Sequence, residues 1–269
     1  MSYFLNLKRK PRKYFKYTYG LIRSFYWTRF TSNKSSTVSF TAHILVVDKL
    51  VYVALAKVCA ESFLFFHPNA KIVFHVDELT EPLLKKKLYH LFKYKNVNIQ
   101  VLSKLPKLTW QNRKLSIIFG INGTSDIFLD ADLKFNDSLP NVSGITFFVK
   151  EFKMSDDLRY AKIISLLNKI YYQNASMYNT SFFTFGGHLQ KNLELSEFFS
   201  FEQKIKDLVR SLDIDPEEIR NMERISEQIA LSFIVEKWNI PVHCLKEVDG
   251  HKDKSFLESS YYGATESTF

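Results

Sequence analysis

The chain has 269 residues, of which 46% are hydrophobic and 24% charged, and its net charge at pH 7 is +9. These proportions are ordinary for a globular protein and exclude a low-complexity or largely disordered chain. No uninterrupted apolar run reaches the roughly 20 residues that a membrane-spanning helix needs. The N-terminus also lacks the apolar centre of a signal peptide. We therefore expect a globular protein without a membrane span or a signal peptide.

The positive charge is concentrated at the N-terminus. Nine lysine or arginine residues and no acidic residue precede Asp48, and those nine equal the whole net charge. Aromatic residues interleave with the cations over residues 1–34, as is typical of segments that lie on an anionic membrane surface. A partner protein, nucleic acid and solvent are the alternatives, although no nucleic-acid motif follows. A polar linker at 31–36 separates this basic aromatic arm from the domain predicted over 35–269.

Strands and helices alternate beyond the linker. Apolar runs predict strands, and apolar residues at helical spacing predict the helices between them. The alternation predicts an α/β domain with a largely parallel central sheet flanked by helices. The first strands are predicted at 38–47, 71–76, 97–102 and 127–129, with helices at 49–66, 80–93 and 113–119. Farther along, strands are predicted at 144–150, 180–185 and 241–245, with helices at 157–172, 193–212 and 216–238.

Two aspartates directly follow an apolar run. The run at 127–129 ends at Asp130, and Asp132 comes two residues later. Ligand sites of open α/β sheets lie just beyond the carboxyl ends of the strands. Two carboxylates on one side of an extended chain can bind one hard divalent cation, with diphosphate oxygens filling its remaining positions. The alternative is a strand end at which both aspartates cap a turn.

The Asp pair belongs to a series of four sequence blocks. They are Tyr52 with the following helix and strand to 76, residues 110–115 with Arg113, residues 128–132, and residues 178–181 together with 226–231. In this order and spacing, the stretch from about 38 to 256 resembles a nucleotide-sugar-dependent glycosyltransferase of the GT-A (Rossmann-like) fold. It is particularly similar to the retaining family 8 galactosyl- and glucosyltransferases of bacterial surface polysaccharide synthesis.

The resemblance implies a role for each block. The metal would be Mn²⁺ or Mg²⁺, bound by Asp130 and Asp132 together with the donor diphosphate. The nucleotide and its phosphates would contact Asp48, Tyr52, Arg113 and Asp130. The donor sugar and the reaction centre would be surrounded by Asn179, Glu227 and Gln228.

Three of these positions have alternative interpretations. Tyr52 also fits a core tyrosine of the first helix, and Arg113 also fits an arginine on a helix surface. Glu227 stands where the family has Asp, and it also fits a charge that stabilises a helix N-terminus. The family usually has Asp-Asp-Asn just before the tyrosine, whereas here residues 49–51 are Lys-Leu-Val with Asp48 nearby.

A late block at 248–256 is similar to the family's C-terminal metal and phosphate ligands. The resemblance implies His251 as the third metal ligand and Lys254 as a diphosphate ligand. The family's His precedes its Gly, whereas His251 follows Gly250, so His243 is the second candidate for the metal. The alternative is a solvated charged loop. Three further histidines fit no ligand spacing and are expected to be structural or solvated, namely His75, His90 and His188.

Together these features predict a metal-dependent hexosyltransferase that uses UDP-Gal or UDP-Glc and a lipid-linked or polysaccharide acceptor, with retention of configuration. Its two distant cysteines, Cys59 and Cys244, suit a reducing cytosol. We expect it to be cytoplasmic and peripheral on the inner face of the cell membrane, bound through the arm. The alternative is a catalytically silent GT-A-like protein that binds sugars or partners. Nucleic acid is not an expected partner, because the charge of the domain itself is balanced.

Overall fold

The computed structural model describes residues 39–47, 50–93, 96–102, 109–121, 125–139, 144–153, 175–184, 195–237, 239, 241–246 and 257–259. The predicted arm (1–34) and the helix predicted at 157–172 lie outside these ranges, so neither prediction is tested. Among the helices that are described, none is both long enough and apolar enough to cross a membrane.

Strands and helices occur in the predicted order. The described strands are β1 (Thr41–Val46), β2 (Lys71–Val76), β3 (Val97–Val101), β4 (Asp126–Asp130), β5 (Leu133–Phe135), β6 (Ile145–Lys153), β7 (Ser176–Thr184), β8 (Val242–Lys246) and β9 (Leu257–Ser259). The described helices are α1 (Leu50–Phe66), α2 (Thr80–Lys87), α3 (Trp110–Gly120), α4 (Leu195–Arg210), α5 (Pro216–Arg224) and α6 (Ser226–Lys237), with a 3-10 turn at Leu91–Lys93. The three-residue strands β5 and β9 are additions that the sequence pattern does not predict.

Seven strands form one sheet in the order β3-β2-β1-β4-β7-β6-β8. Strand β7 is antiparallel to both of its neighbours, β4 and β6, whereas the other four pairings are parallel. The predicted α/β class, with a mostly parallel sheet flanked by helices, is therefore confirmed. Strands β5 and β9 form a separate antiparallel pair.

The two faces of the sheet bury two hydrophobic clusters. One cluster joins α1 and α2 to the side chains of β1, β2 and β4 that include Ile127 and Leu129. The other joins α3, α4 and α6 to the opposite face, where Phe128 lies. Successive side chains of a strand alternate between faces, so Asp130 shares the face of Phe128 and points toward α3 and α6.

The long helix predicted at 216–238 is wrong in one respect, because the structure divides it into α5 and α6. The backbone N–H of Ile225 closes α5 by donating to Met222 O at 3.2 Å. The next residue, Ser226, donates its hydroxyl to Glu202 on α4. This tertiary contact attaches the start of α6 to α4, and helical periodicity carries no information about it.

Candidate functional site

A buried lysine contacts the first aspartate of the pair. Asp130 ends β4, and its two carboxylate oxygens lie 3.0 and 3.1 Å from Lys114 Nζ. Lys114 comes from α3, is only 2% exposed, and lies 5.1 Å from the centroid of the Phe128 ring. A buried ammonium group is costly without a counter-charge, and Asp130 supplies one. The end of β4 therefore carries an ion pair with a buried lysine.

A second carboxyl group, that of Glu227, lies near the same ammonium group. Its Oε1 is 3.9 Å from Lys114 Nζ, its side chain is buried in the first turn of α6, and Oε2 has no hydrogen-bond partner within the described structure. The pKa of Glu227 is raised to about 7, chiefly by burial; the Lys114 charge opposes this rise, and the Asp130 and Glu202 carboxylates add to it. Glu227 therefore changes charge near neutral pH and retains one oxygen that can accept a bond from a ligand.

The other two residues predicted at the reaction centre lie at the same end of the sheet. Gln228 Oε1 accepts a hydrogen bond from Thr180 N–H at 3.4 Å, which fastens α6 to β7. Asn179 is buried, and its Oδ1 accepts a hydrogen bond from Ser181 N–H at 2.9 Å. Because Leu129 pairs with Phe182 in the antiparallel register, Asn179 lies beyond the end of β4. The fold thus brings Asn179, Glu227 and Gln228 to the edge where Asp130 lies.

Asp132 lies in the turn between β4 and β5, above the first helix. The pKa of the Cys59 thiol, at the centre of α1, is well above its usual range, chiefly because of burial and then because of the charges of Asp132 and Asp130. Cys59 is completely buried and is a neutral core thiol. Both carboxylates therefore act electrostatically on one point of α1.

The fit of this edge to a divalent cation rests on its donor chemistry. Carboxylate oxygens such as those of Asp130 and Asp132 are the ligands that Mn²⁺ and Mg²⁺ prefer. Across the described ranges, however, no group of three or more His, Cys, Asp or Glu residues is placed to hold a metal ion. His251 lies outside those ranges. His243 lies on β8, three strands from β4 and therefore roughly 14 Å across the sheet from it.

The predicted nucleotide contacts lie around the same edge where they are described. Tyr52 is in the first turn of α1 and is 36% exposed, so it is not a core tyrosine. Arg113 is partly buried and adjacent to Lys114 on α3. Asp48 and Lys254 lie outside the described residues. Strand order reverses between β1 and β4, and such a switch point is where open α/β sheets bind ligands.

The segment predicted to supply His251 and Lys254 is bracketed by two described strands. Strand β8 runs parallel to β6 and ends at the carboxyl edge of the sheet. Strand β9 pairs with β5, which begins directly after Asp132, with Leu133 opposite Ser259. Residues 257–259 therefore lie along the strand that follows the Asp pair; residues 247–256 themselves are not described.

Comparisons with known proteins give only remote likenesses. The chain matches no protein-family model and no curated protein. Among solved structures, the galactosyltransferase LgtC in complex with donor and acceptor sugar analogues is 14% identical, with 68% of this chain and 69% of that chain covered and a TM-score of 0.43. Mouse xyloside xylosyltransferase 1 is 11% identical, with 77% and 85% covered and a TM-score of 0.45.

A mannosyltransferase from Pyrobaculum calidifontis in complex with GDP-Man and Mn²⁺ is 8% identical, with 55% of this chain and 46% of that chain covered and a TM-score of 0.31. All three of these proteins are glycosyltransferases. At such identities and TM-scores, the likenesses assign neither a family nor an activity to this chain. The α/β class of this chain is assigned from the strands and helices of its own structure.

The remaining histidines that are described make structural contacts. His75 Nε2 lies 2.9 Å from His43 Nδ1 on the neighbouring strand, and burial lowers the pKa of His75 to about 3, with the nearby His43 adding to this shift. His90 Nε2 lies 2.7 Å from Glu61 Oε1. These two contacts agree with the expectation that His75 and His90 are structural, whereas His188 is not described.

Lys114 is the site residue that the sequence interpretation missed, because that interpretation favoured the neighbouring Arg113. The position of Lys114 within α3 is the feature of the sequence that could have indicated its role. Residues 111, 114, 115 and 118 form the buried stripe of the helix at i, i+3, i+4 and i+7. A lysine in such a stripe needs a buried counter-charge, and Asp130 is the acidic residue at the end of the next strand.

Proposed function

We propose that this protein is a nucleotide-sugar-dependent glycosyltransferase of the GT-A type. The observation that carries the proposal is the buried cluster of Asp130, Lys114 and Glu227 at the carboxyl end of β4, where the strand order reverses. Such a cluster places acidic and basic groups side by side in the position where open α/β sheets bind nucleotides. The order of the four sequence blocks is the second support.

The donor would be UDP-Gal or UDP-Glc. Tyr52 is exposed enough to stack on a base, and Arg113 and Lys254 would contact the diphosphate as charge-assisted donors. Asp48, directly after β1, would contact the nucleoside. Asn179 and Gln228 would hydrogen-bond the hydroxyl groups of the hexose. The acceptor would be a glycan or a glycolipid, such as a lipid-linked saccharide.

A divalent cation, Mn²⁺ or Mg²⁺, would be held by Asp130 and Asp132, with His251 as the third protein ligand. Such an ion, when bound, offsets the negative charge that develops on a departing diphosphate. Lys114 supplies a fixed positive charge to the same edge whatever the state of the metal site. Lys114 contacts both oxygens of Asp130, so this carboxylate has a counter-charge before any ligand arrives.

In the proposed reaction the bond between the anomeric carbon and the diphosphate oxygen breaks, and the acceptor oxygen bonds to that carbon. The departing diphosphate oxygen takes the proton of the acceptor hydroxyl, on the same face of the sugar, so configuration is retained. Glu227 in its ionised form would stabilise the positive charge that develops at the anomeric centre. Its proximity to Lys114 keeps the ionised form accessible near neutral pH.

The alternative is a catalytically silent protein of the same fold that binds sugars or a partner. The contact of Lys114 with both oxygens of Asp130 favours this alternative, because a lysine in that position competes with a metal ion. Turnover separates the two functions, since a silent protein binds a nucleotide sugar without consuming it.

We also propose that the protein is cytoplasmic and peripheral on the inner face of the cell membrane. The support is the charge pattern of the sequence, in which residues 1–34 carry nine cations and no acid. Such a segment would hold the enzyme beside a lipid-linked acceptor. Nucleic acid is not a proposed partner.

The test is a thermal-unfolding panel of UDP-, GDP- and other nucleotide sugars with and without Mn²⁺, followed by measurement of sugar transfer or donor hydrolysis. A donor present at about 100 times its Kd should raise Tm by at least about 5 °C for a chain of this length. Asp132→Asn should remove the Mn²⁺-dependent part of that increase. Asp137→Asn, an exposed aspartate of the same segment, is the matched control and should preserve it.

Each outcome of this test distinguishes between the proposed transferase, the silent alternative and the metal assignment. No increase in Tm with any nucleotide sugar overturns the proposed function. An increase without turnover identifies the silent alternative. An Mn²⁺-dependent increase that survives in Asp132→Asn removes the metal assignment and leaves the donor assignment in place.

A further inference from the structure

A second buried ion pair lies behind the site. Glu202 and Lys206 are one helical turn apart on α4, with Lys206 Nζ 2.5 Å from Glu202 Oε1. Glu202 is 1% exposed and Lys206 6%. The same carboxylate oxygen accepts a hydrogen bond from the hydroxyl of Ser226, which is completely buried. One acidic oxygen thus joins α4 to the first residue of α6.

This contact acts on the backbone that carries Glu227. Ser226 is the first residue of α6, and Glu227 is the next. Helix α5 ends just before, and Ile225 turns its own N–H back to Met222 O. The start of α6 is therefore anchored to α4 by Ser226, in addition to its chain connection to α5.

Stability alone gives a weak reason for this arrangement. A buried acid–base pair gains little over apolar side chains of the same volume, because desolvation of both charges offsets their attraction. The hydrogen bond from Ser226 to a carboxylate is charge-assisted and fixes direction more strictly than a neutral one. Its geometric effect falls on Glu227, the next residue, whose Oε1 lies 3.9 Å from Lys114 Nζ.

We propose that Glu202 is a positioning residue, which through Ser226 holds the start of α6 so that the Glu227 carboxyl faces Lys114 and the substrate. The catalytic part of this inference rests on the proposed transferase function; the geometric part does not. Lys206 supplies the opposite charge that contacts Glu202 within the interior. Glu202 would therefore act on the reaction without touching the substrate.

A positioning role and a purely structural role predict different measurements. The charged groups that face Glu227 among the described residues are Lys114 on α3, Asp130 on β4 and Glu202 on α4. Removing the charge of Glu202 should lower the pKa of Glu227, because a neighbouring carboxylate disfavours ionisation. Removing the Ser226 contact should lower kcat much more than it raises the donor KM, because the reacting group is displaced while the nucleotide contacts on α1 and α3 remain.

The experiment uses the full chain and four variants. Glu202→Gln keeps an acceptor for Ser226 but loses the charge, whereas Ser226→Ala keeps the charge but loses the contact. Glu227→Gln identifies the NMR signal of that carboxyl, and Glu197→Gln, which changes an exposed glutamate of α4, is the matched control. The pKa of Glu227 is followed by carbon-13 NMR of labelled glutamate carboxyls. Initial rates against UDP-Gal and UDP-Glc give kcat and KM as functions of pH.

In Ser226→Ala we expect kcat to fall roughly tenfold with KM within about twofold of the wild type. In Glu202→Gln we expect the Glu227 pKa and the acid limb of kcat to move together to lower pH by about half a unit or more. Glu197→Gln should change neither quantity. If Glu202→Gln fails to fold, Ser226→Ala decides, since it removes one oxygen atom and no charge.

A kcat in Ser226→Ala equal to that of the control overturns the proposal, and so does a Glu227 pKa in Glu202→Gln that equals the wild-type value. A higher donor KM in Ser226→Ala with an unchanged kcat also overturns the proposal. The NMR titration does not require turnover. A Glu227 pKa that shifts in a chain inactive toward all nucleotide sugars therefore rejects the proposed function and keeps the coupling of Glu202 to Glu227.

Discussion

The Glu227 carboxyl experiences opposing effects within a few ångströms. Its burial favours the neutral acid, and the ammonium group of Lys114 at 3.9 Å favours the carboxylate. Burial is the larger effect, because the contact with Lys114 is longer than a hydrogen bond and Lys114 is itself nearer to Asp130. The folded protein therefore ionises Glu227 at a cost, and that cost depends on pH.

We predict that Glu227→Gln stabilises the protein at high pH. The folded pKa of about 7 exceeds the ordinary value of 4.5, so the unfolded chain loses this proton first as pH rises. Wild-type stability should therefore fall between about pH 4.5 and 7, by about 3 kcal/mol in total. Glutamine imitates the neutral acid and avoids this loss. Denaturant unfolding of both proteins at pH 4.5 and pH 8 measures the difference.

Glu217→Gln is the control for that measurement. Glu217 occupies the corresponding first turn of α5 and is exposed, so the same substitution should change the free energy of unfolding by less than about 0.5 kcal/mol at either pH. Equal stability of wild type and Glu227→Gln at pH 8 would show that Glu227 ionises in the folded state without cost.

The segment that follows the Asp pair is fastened to a helix by two side chains. Ser62 on α1 donates its hydroxyl to Cys59 O at 3.0 Å and accepts a hydrogen bond from Phe135 N–H at 3.0 Å. His67, just beyond α1, accepts one from Leu139 N–H at 3.0 Å, and burial lowers the pKa of His67 to about 4. His67 is therefore the neutral acceptor that this contact requires at physiological pH. Strand β5 and the end of the Asp132 turn are thus held on α1.

We predict that Ser62→Ala destabilises the protein by about 1–3 kcal/mol, because it leaves the buried Phe135 N–H without an acceptor. The same change should loosen the turn that carries Asp132 and weaken Mn²⁺ binding measured with nucleoside diphosphate present. Urea unfolding gives the stability, and titration calorimetry gives the affinity for Mn²⁺.

Ser211→Ala provides a closely matched comparison. Ser211 likewise donates its hydroxyl to the carbonyl three residues earlier, Leu208 O at 2.7 Å, but it is exposed, and among the described residues no backbone N–H donates to its hydroxyl. Its effect on unfolding should stay within about 0.5 kcal/mol. Should the two variants lose equal stability, the contact with Phe135 would not be what holds β5 in place.

Some helices and strands could be predicted from the sequence and others could not, because only some of them are determined by local pattern. The core strands have continuous apolar runs and α3 has a helical stripe, so their positions follow from local pattern. Strands β5 and β9 are three residues long and exist because they pair with each other across more than 100 residues of chain. The break before Ser226 depends on Glu202, which lies 24 residues away in the chain. The local periodicity of the sequence predicts neither of these long-range contacts.

The same limit applies to the candidate site. Asp130, Asn179, Glu227 and Gln228 were predicted from their sequence blocks, and the fold brings them to one edge. Lys114 was missed because its importance depends on which side of α3 faces β4, and that becomes known only once the helix is packed. A buried stripe containing a charge was the available signal.

At the scale of the whole molecule, the charge is divided between two parts of the chain. The residues before Asp48 hold nine cations and no acid, and the remainder has 28 basic and 28 acidic residues, since the chain totals are 37 and 28. A balanced domain gives no long-range attraction to an anionic surface, whereas an arm of nine cations does. Where the protein acts is therefore predicted to depend on the arm alone.

We predict that the full-length protein binds phosphatidylserine-containing vesicles through this arm. Each cation near an anionic surface contributes about 1 kcal/mol, so neutralising several of them should weaken binding by at least about tenfold. The variant replaces five basic residues by glutamine and keeps every aromatic ring, namely Lys8, Arg9, Lys10, Arg12 and Lys13. Vesicle co-sedimentation at low and high salt measures the affinity.

The matched control replaces five basic residues on helices of the domain by glutamine, at positions exposed to solvent, namely Lys85, Lys86, Lys87, Lys204 and Arg220. It removes the same number of charges and should leave vesicle binding unchanged, because those residues lie on the domain and not on the arm. Salt should weaken the binding of the wild type by screening. Equal loss in the two variants would mean that total charge, and not the arm, governs binding. Binding to purely zwitterionic vesicles with the same affinity would instead place the attraction in the aromatic rings, which insert at headgroup level regardless of lipid charge.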